Sequence, residues 1–374
     1  MTKGKDEKLR RKIRILIAPL DWGLGHATRC IPIINEFLVN DCDVWLAGAG
    51  SLEVLLRSEF PDLPFLLLPG YDIKYSKTSG GLVWKLIVQS PHIISCINKE
   101  HRWLARVTKT HGFDGVISDN RFGLYHTDLP AVFVTHQLSI KSPLGKWNQW
   151  LLQKWNYRHI NHFRECWVPD LAGENALAGE LSHPALLPAI PVKYIDPLSR
   201  FERNGQPEIT DQLLFMLSGP EPQRTILENN IINEVSHYPG TATIIRGLPS
   251  SESVIPSTGM IKFYNHLSTK ELNEEIERAD WVIGRSGYST IMELAKLQKK
   301  SILIPTPGQT EQEYLAKFLF QRKLAYPVEQ KEFTLNRVLA EAKKFNYRFP
   351  SSGNSNRLGI AVKNFLESII MKRQ

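Results

Sequence analysis

The chain has 374 residues, 42% hydrophobic and 22% charged, with a formal net charge of +8. That is the composition of an ordinary globular protein long enough for two domains, and no apolar run approaches the roughly 18 residues of a membrane-spanning helix, which excludes that class. The basic balance favours acidic partners; no zinc-finger spacing, RNA-binding signature or heptad array is present, so a diphosphate ligand or an anionic membrane surface is expected and nucleic acid is not.

Met1 to Lys12 is polar and charged, reads as a frayed arm, and lacks the apolar core of a secretory signal. Four widely spaced cysteines, Cys30, Cys42, Cys96 and Cys166, fit reduced, mostly buried thiols in a cytoplasmic protein. Ile13 to Leu20 reads as a buried strand. It runs into Asp21-Trp22-Gly23-Leu24-Gly25-His26-Ala27-Thr28-Arg29-Cys30, and a helix follows with Ile31, Ile34, Phe37 and Leu38 on one face. Thr28 stands where the dinucleotide fingerprint needs a third glycine, so that fingerprint is excluded. Gly23 and Gly25 allow a tight turn and close approach of a ligand. His26, at the helix start, is the candidate general base, since a near-neutral imidazole can take a proton from an attacking hydroxyl. The structural alternative is a histidine that caps or packs; Arg29 is a candidate phosphate partner.

Asp43 to Ala49 and Phe65 to Leu68 are expected strands around a helix from Ser51 to Ser58. Tyr71 to His111 mixes Tyr75, Trp84, His92, His101 and Trp103 with Lys74, Lys77, Lys85, Lys99, Arg102 and Arg106, either an acceptor-binding segment or an amphipathic helix with a solvated basic face. Gly115 to Ser118 delivers Asp119-Asn120-Arg121, and Ala131 to Thr135 delivers His136-Gln137, to strand ends that should open on the cleft of His26. Asp119 is the candidate orienter of His26. Asn120, His136 and Gln137 are candidate acceptor-binding residues, with His136 an alternative base; strand-end polar residues can also simply cap turns. Lys146 to His162 sets Trp147, Trp150, Leu151, Trp155 and Ile160 among Lys146, Lys154, Arg158 and His159, as in helices at an anionic bilayer surface or as in a tryptophan-packed core helix. Cys166 to Pro169 reads as the last strand of the first domain, and the linker is expected around Pro191 to Gln206.

The second domain opens with a strand, Leu213 to Leu217, ending at Ser218-Gly219 before Arg224, whose guanidinium fork suits a phosphate. Ala242 to Ile245 ends at Arg246-Gly247, Ile261 to Tyr264 is a further strand, and Ser268 is the expected N-cap of a helix reaching Ala279. From Trp281 to Gln312 the pattern is strand, small-residue turn, helix, strand. Arg285, Ser286, Gly287, Ser289 and Thr290 place hydroxyls and free amides at a helix start, an anion site. Glu293, one turn in, is placed to accept hydrogen bonds from a sugar diol, and after the second strand Pro305 to Gln312 supplies Thr306, Gln309, Thr310, Glu311 and Gln312 where ligands enter open α/β sheets. Helical patterns at Leu335 to Lys344 and Asn356 to Met371 close the chain.

RSGYSTIMEL followed by ILIPTPGQTEQ resembles the donor-site signature of the family 28 glycosyltransferases. The resemblance implies a GT-B fold, an α/β pair of Rossmann-like, doubly wound parallel-sheet domains facing a cleft. These are an acceptor-binding domain at 13–190, a nucleotide-sugar-binding domain at 207–350, and a last helix at 351–374 crossing back to the first. It implies a UDP-sugar donor held through Gly25, Ser218, Gly219, Arg224, Arg246, Arg285, Ser286, Gly287, Ser289, Thr290, Glu293, Gln309 and Gln312. It also implies a glycan or lipid-linked acceptor, His26 as base with Asp119, and inverting transfer with no cofactor and no metal. A peripheral position on the inner face of the cytoplasmic membrane is the matching expectation. The chain departs from the family at both phosphate loops: G-L-G-H replaces a longer glycine run, and two prolines fill the turn after Leu217. The G-x-G-H-x-x-R-C string also resembles the nucleotide-sugar hydrolases of the pseudaminic acid pathway, which keeps hydrolysis or epimerisation on the same scaffold as an alternative. A non-catalytic sugar-nucleotide-binding subunit is the third reading.

Overall fold

The structure is a computed structural model, and it describes residues 11–71, 81–142, 145–349 and 355–373, with the side chains of 81–90 outside the description. The expected arm up to residue 10, Lys74, Tyr75 and Lys77, and the side chains of Trp84 and Lys85 therefore lie outside the described residues.

The apolar runs become two all-parallel sheets, as expected when strands covered on both faces leave no polar alternation. The first has β1 (Arg14–Pro19), β2 (Asp43–Gly48), β3 (Phe65–Leu67), β4 (Gly115–Asp119), β5 (Ala131–Val134), β6 (Glu165–Val168) and β7 (Val192–Tyr194), in the order β3-β2-β1-β4-β5-β6-β7. The second has β8 (Ile209–Met216), β9 (Thr241–Ile245), β10 (Ile261–Tyr264), β11 (Ala279–Gly284), β12 (Ser301–Leu303) and β13 (Tyr326–Pro327), in the order β10-β9-β8-β11-β12-β13. Strand order therefore reverses between β1 and β4 and again between β8 and β11. A crevice opens beyond the carboxyl ends of strands at such reversals, and these four strands end at Asp21–His26, Asp119–Arg121, Ser218–Gly219 and Arg285–Gly287, the stretches that carry the sequence motifs.

The helices are α1 (Leu24–Val39), α2 (Ser51–Glu59), α3 (Gly81–His111), α4 (Lys146–Ile160), α5 (Gln223–Val235), α6 (Thr269–Arg278), α7 (Tyr288–Leu297), α8 (Thr310–Gln321), α9 (Leu335–Lys344) and α10 (Arg357–Arg373). Ser268 caps α6 as expected: it accepts from Glu271 N, and Glu271 accepts in return from Ser268 N. α10 returns to the first domain, where Phe365 lies edge-on to Phe37 and Trp167, at ring-centroid distances of 6.3 and 6.0 Å. Gly115 leaves the room for it, since a Cβ there would sit 2.9 Å from the Phe365 ring.

The structure corrects the linker. β7 pairs in parallel with β6, so Val192–Tyr194 belongs to the first sheet and the crossing begins after it. The stretch expected to be a ligand loop after β12 turns into α8 from Thr310. All four cysteines are buried thiols outside any disulfide.

Candidate active site

The two reversal points face each other across the domain junction. On the first domain, Gly23 adopts φ 119°, a left-handed conformation open to glycine, and α1 starts behind it with no side-chain cap. That start puts His26 in the first helical turn beside the end of β4. His26 Nδ1 lies 3.1 Å from Asp119 Oδ2 and 2.8 Å from Arg29 Nη2. Asp119 and Arg29 thus compete for one ring nitrogen. In the tautomer that donates to Asp119, Nε2, which has no partner among the described residues, holds the lone pair that a base needs. Burial, then the charge of Arg29, lowers the His26 pKa below its usual value, which keeps the ring neutral at neutral pH.

Asp119 is fully buried, and its main partner is not the histidine. Arg29 grips it with two nitrogens, Nε at 2.9 Å from Oδ2 and Nη2 on Oδ1, while the Arg29 Nη1 contacts His136 Nδ1 at 3.0 Å. Burial alone would raise the Asp119 carboxyl; Arg29 and His26 outweigh it and hold the pKa at about 2. The expected base and orienter do meet, but Arg29 shares the carboxylate and holds it with two nitrogens, so Arg29 is engaged by protein rather than open to phosphate.

On the second domain, α7 begins at the Gly287 N-cap with no side-chain cap, so its first amides point outward from the turn. A Cβ at Gly287 would meet no atom within 4 Å, which leaves that approach open. Behind the turn, Arg285 is buried and holds only carbonyl oxygens: Ile304 at 3.2 Å, Pro305 at 3.3 Å and Gln223 at 2.8 Å. Among the described residues no carboxylate pairs with it, and its Nε has no partner. Burial lowers its pKa to about 10, which still leaves it a cation. The Oγ1 of Thr306, after β12, is likewise buried and unpartnered. Ser218 and Gly219 are exposed at the neighbouring strand end, with Gly219 at φ 104°.

Several expected donor-binding groups are already engaged. Arg224 pairs with Glu221 at 2.6 Å and Glu228 at 3.2 Å, and Arg246 pairs with Glu228 at 2.6 Å, so neither is the free cation expected there. Glu293 does not face an open crevice: it is buried and paired with Arg200 of the linker at 3.1 Å. Its burial raises its pKa against the pull of Arg200. Ser286 is buried and donates to Gln312 O at 2.9 Å, and Ser289 donates across the junction to Gly25 O at 2.8 Å. Gln312 accepts from Thr306 N and donates to Gln309 Oε1, and Thr290 is half-buried on the same turn. Asn120 takes φ 56° at the end of β4.

Glu311, expected only as one of the polar residues following β12 and given no role of its own, proves central. From the first turn of α8 it reaches His136 Nε2 at 2.8 Å and Gln137 Nε2, so two of the three expected acceptor-binding side chains are held by the other domain. His136, Arg29 and His26 keep its pKa low against its burial. Tyr288 stacks on His136 at 4.3 Å and donates to Pro169 O at 2.9 Å. Only the position of Glu311 inside the PGQTEQ run hinted at it. Among the described residues no group of three or more His, Cys, Asp or Glu is arranged to hold a metal ion.

Residues 258–357 match the family model of the glycosyltransferase family 28 C-terminal domain, the segment that contains Arg285, Gly287 and Glu311. The chain is similar to the family 28 glycosyltransferases. A curated relative from Haemophilus ducreyi, UDP-N-acetylglucosamine–N-acetylmuramyl-(pentapeptide) pyrophosphoryl-undecaprenol N-acetylglucosamine transferase, is 29% identical over 150 residues, 39% of this chain. The chain spans 42% of that relative's length. Among solved structures, MurG of Acinetobacter baumannii superposes with a TM-score of 0.51 at 14% identity, covering 97% of this chain and 95% of its own. The spinosyn rhamnosyltransferase SpnG superposes at 0.60 with 13% identity, covering 96% of each chain. These likenesses establish the GT-B fold, two parallel-sheet domains over a cleft, for the whole chain. The family 28 match itself covers residues 258–357, from β10 to the start of α10, and leaves β8, α5 and β9 of the second domain outside it.

Proposed function

We propose that the chain is a glycosyltransferase that takes a sugar, of the N-acetylhexosamine type, from a UDP-linked donor and passes it to a hydroxyl acceptor with inversion and without a metal. One observation carries this reading: Ser289 of the family 28 turn touches Gly25 of the G-L-G-H loop at 2.8 Å, so the candidate anion site and the candidate base share one crevice. The uncapped start of α7 and the Arg285 charge behind it supply fixed positive potential where a leaving diphosphate gathers charge. His26 Nε2 removes the acceptor proton as the acceptor oxygen bonds to the anomeric carbon. The bond from that carbon to the diphosphate oxygen breaks, and its electron pair leaves with UDP. Donor entry requires the domains to part, because Ser289 and Glu311 are engaged by the first domain when the cleft is closed.

Calorimetry with UDP and UDP-N-acetylglucosamine on the full chain tests the reading. Micromolar-range binding supports it; no binding of either by a folded protein overturns it. Hydrolysis is the second reading, because Arg29, the residue that the G-x-G-H-x-x-R-C string adds, sits within hydrogen-bond reach of His26 and Asp119. Release of free sugar without added acceptor would select it.

A peripheral membrane position is part of the proposal. No helix of the described residues is long and apolar enough to cross a membrane. On α4, Trp147 and Trp150 are 70% and 45% exposed beside Leu151 and Leu152, with exposed Leu186 and Leu187 on the loop that α4 holds through Tyr157. Trp155 instead turns inward onto Phe122 at 5.3 Å, so the helix is divided between core and surface. Lys154 lies over the Trp150 ring at 3.8 Å, a basic and aromatic face suited to anionic headgroups. Co-sedimentation with phosphatidylglycerol vesicles, lost in W147A/W150A, checks it.

A further inference from the structure

The β1–α1 loop carries two residues that the machinery above does not use, Asp21 and Trp22. Resting on the glycosyltransferase reading, we propose that they form the acceptor subsite, and that the group they receive is a neutral sugar ring with adjacent free hydroxyls rather than a phosphate.

Trp22 is 39% exposed on the loop that carries His26, and its ring meets the buried Tyr71 edge-on, with centroids 6.1 Å apart and planes at 87°. The edge contact fixes the indole and leaves a face for a ligand. Beside it the loop is open: a Cβ at Gly23 would meet nothing within 4 Å. Pyranose rings present an apolar C–H face that packs on such an aromatic surface.

Asp21 supplies the complementary polar group, held in advance. Its carboxylate fills the space over Gly70, where any Cβ would fall 1.5 Å from Oδ2, so only glycine tolerates the carboxylate in this position. Tyr71 N donates to Oδ1 at 3.4 Å, and Arg121 Nη2 stands 3.7 Å from the same oxygen. Arg121 is fully buried, and its hydrogen bonds to Pro19 O at 2.8 Å, Pro69 O at 3.3 Å and Glu100 at 2.8 Å lock it in place. Its Nη2 makes no hydrogen bond, so the cation faces Asp21 without consuming its acceptor capacity. Among the described residues Oδ2 has no hydrogen-bond partner, and a carboxylate can accept from two neighbouring hydroxyls. The same negative charge repels a phosphate, which sets the selectivity. Two of the three residues first expected to hold the acceptor, His136 and Gln137, are tied to Glu311, which favours acceptor recognition at this loop.

Saturation-transfer NMR on the full chain, with methyl β-D-glucopyranoside, methyl β-D-galactopyranoside, methyl α-D-mannopyranoside and methyl N-acetyl-β-D-glucosaminide as probes and glucose 1-phosphate as the charged comparison, tests this. At least one neutral glycoside is expected to bind through its C–H face. W22A and D21N should each weaken it by about tenfold, the loss of one aromatic or charge-assisted contact. W22F should retain part of the affinity, thermal melting should show all variants folded, and UDP affinity should stay within about twofold of the parent. The proposal is overturned if none of the four glycosides binds, if W22A and D21N bind them as the parent does, or if glucose 1-phosphate binds more tightly than the neutral rings. UDP titrated in parallel separates the two levels: glycoside failure with UDP binding removes this subsite alone, and failure of both removes the glycosyltransferase reading with it.

Discussion

The two faces of the crevice handle buried charge in opposite ways. On the first domain Arg29 and Asp119 neutralise each other and leave His26 uncharged beside them. On the second, Arg285 is buried with carbonyl oxygens alone and keeps an unmatched positive charge. A closed ion pair stores no net potential; it fixes the tautomer and position of a neighbour. An unmatched cation, stabilised only by dipoles, waits for an anion. Under the proposed function the contrast divides the chemistry, with proton transfer assigned to the first face and diphosphate binding to the second.

The largest break in that contrast is H26A, expected to lower turnover about 10²- to 10⁴-fold while leaving UDP affinity in calorimetry unchanged. A fall in UDP affinity instead would put His26 on the binding side. Next, R29M strands a fully buried carboxylate and should cost about 3–5 kcal/mol in urea unfolding, whereas R285M strands only carbonyls and should cost about 1–3 kcal/mol. R285M should weaken UDP about tenfold or more, as loss of a charged contact does. Equal stability losses would erase the distinction between the faces.

Acid titration sharpens the same point. The Asp119 pKa is held at about 2, below its ordinary 3.8. Its contribution is therefore present above 3.8 and is lost as pH falls through 2, an order-of-magnitude 2 kcal/mol. Stability measured against pH should lose that limb in D119N. Smallest is S289A, which removes the 2.8 Å bond to Gly25 and should lower stability by about 1 kcal/mol.

Much of this arrangement was legible in the chain. Runs such as Arg14–Pro19 and Ala279–Gly284 are apolar enough to be buried strands, and small residues at their ends marked the crevice. β7 escaped because its three residues, Val192–Tyr194, lie between Pro191 and Pro197 and gain strand geometry only by pairing with β6. Candidate residues were readable by type; their partners were not. Asp119 looked like the companion of His26, yet Arg29 takes it, and Glu293 looked free until the linker supplied Arg200. Such pairings join residues about 90 positions apart, which no local pattern records.

α10 lies against Phe37 and Trp167 of the first domain, and its Arg373 reaches Asp114 and the carbonyl of Arg11. The polypeptide therefore crosses between lobes on the way out and again on the way home. In the opening that donor entry is proposed to need, a lobe hung on two tethers would swing like a door rather than twist about one, returning the Ser289 turn to the same stretch of the opposite wall.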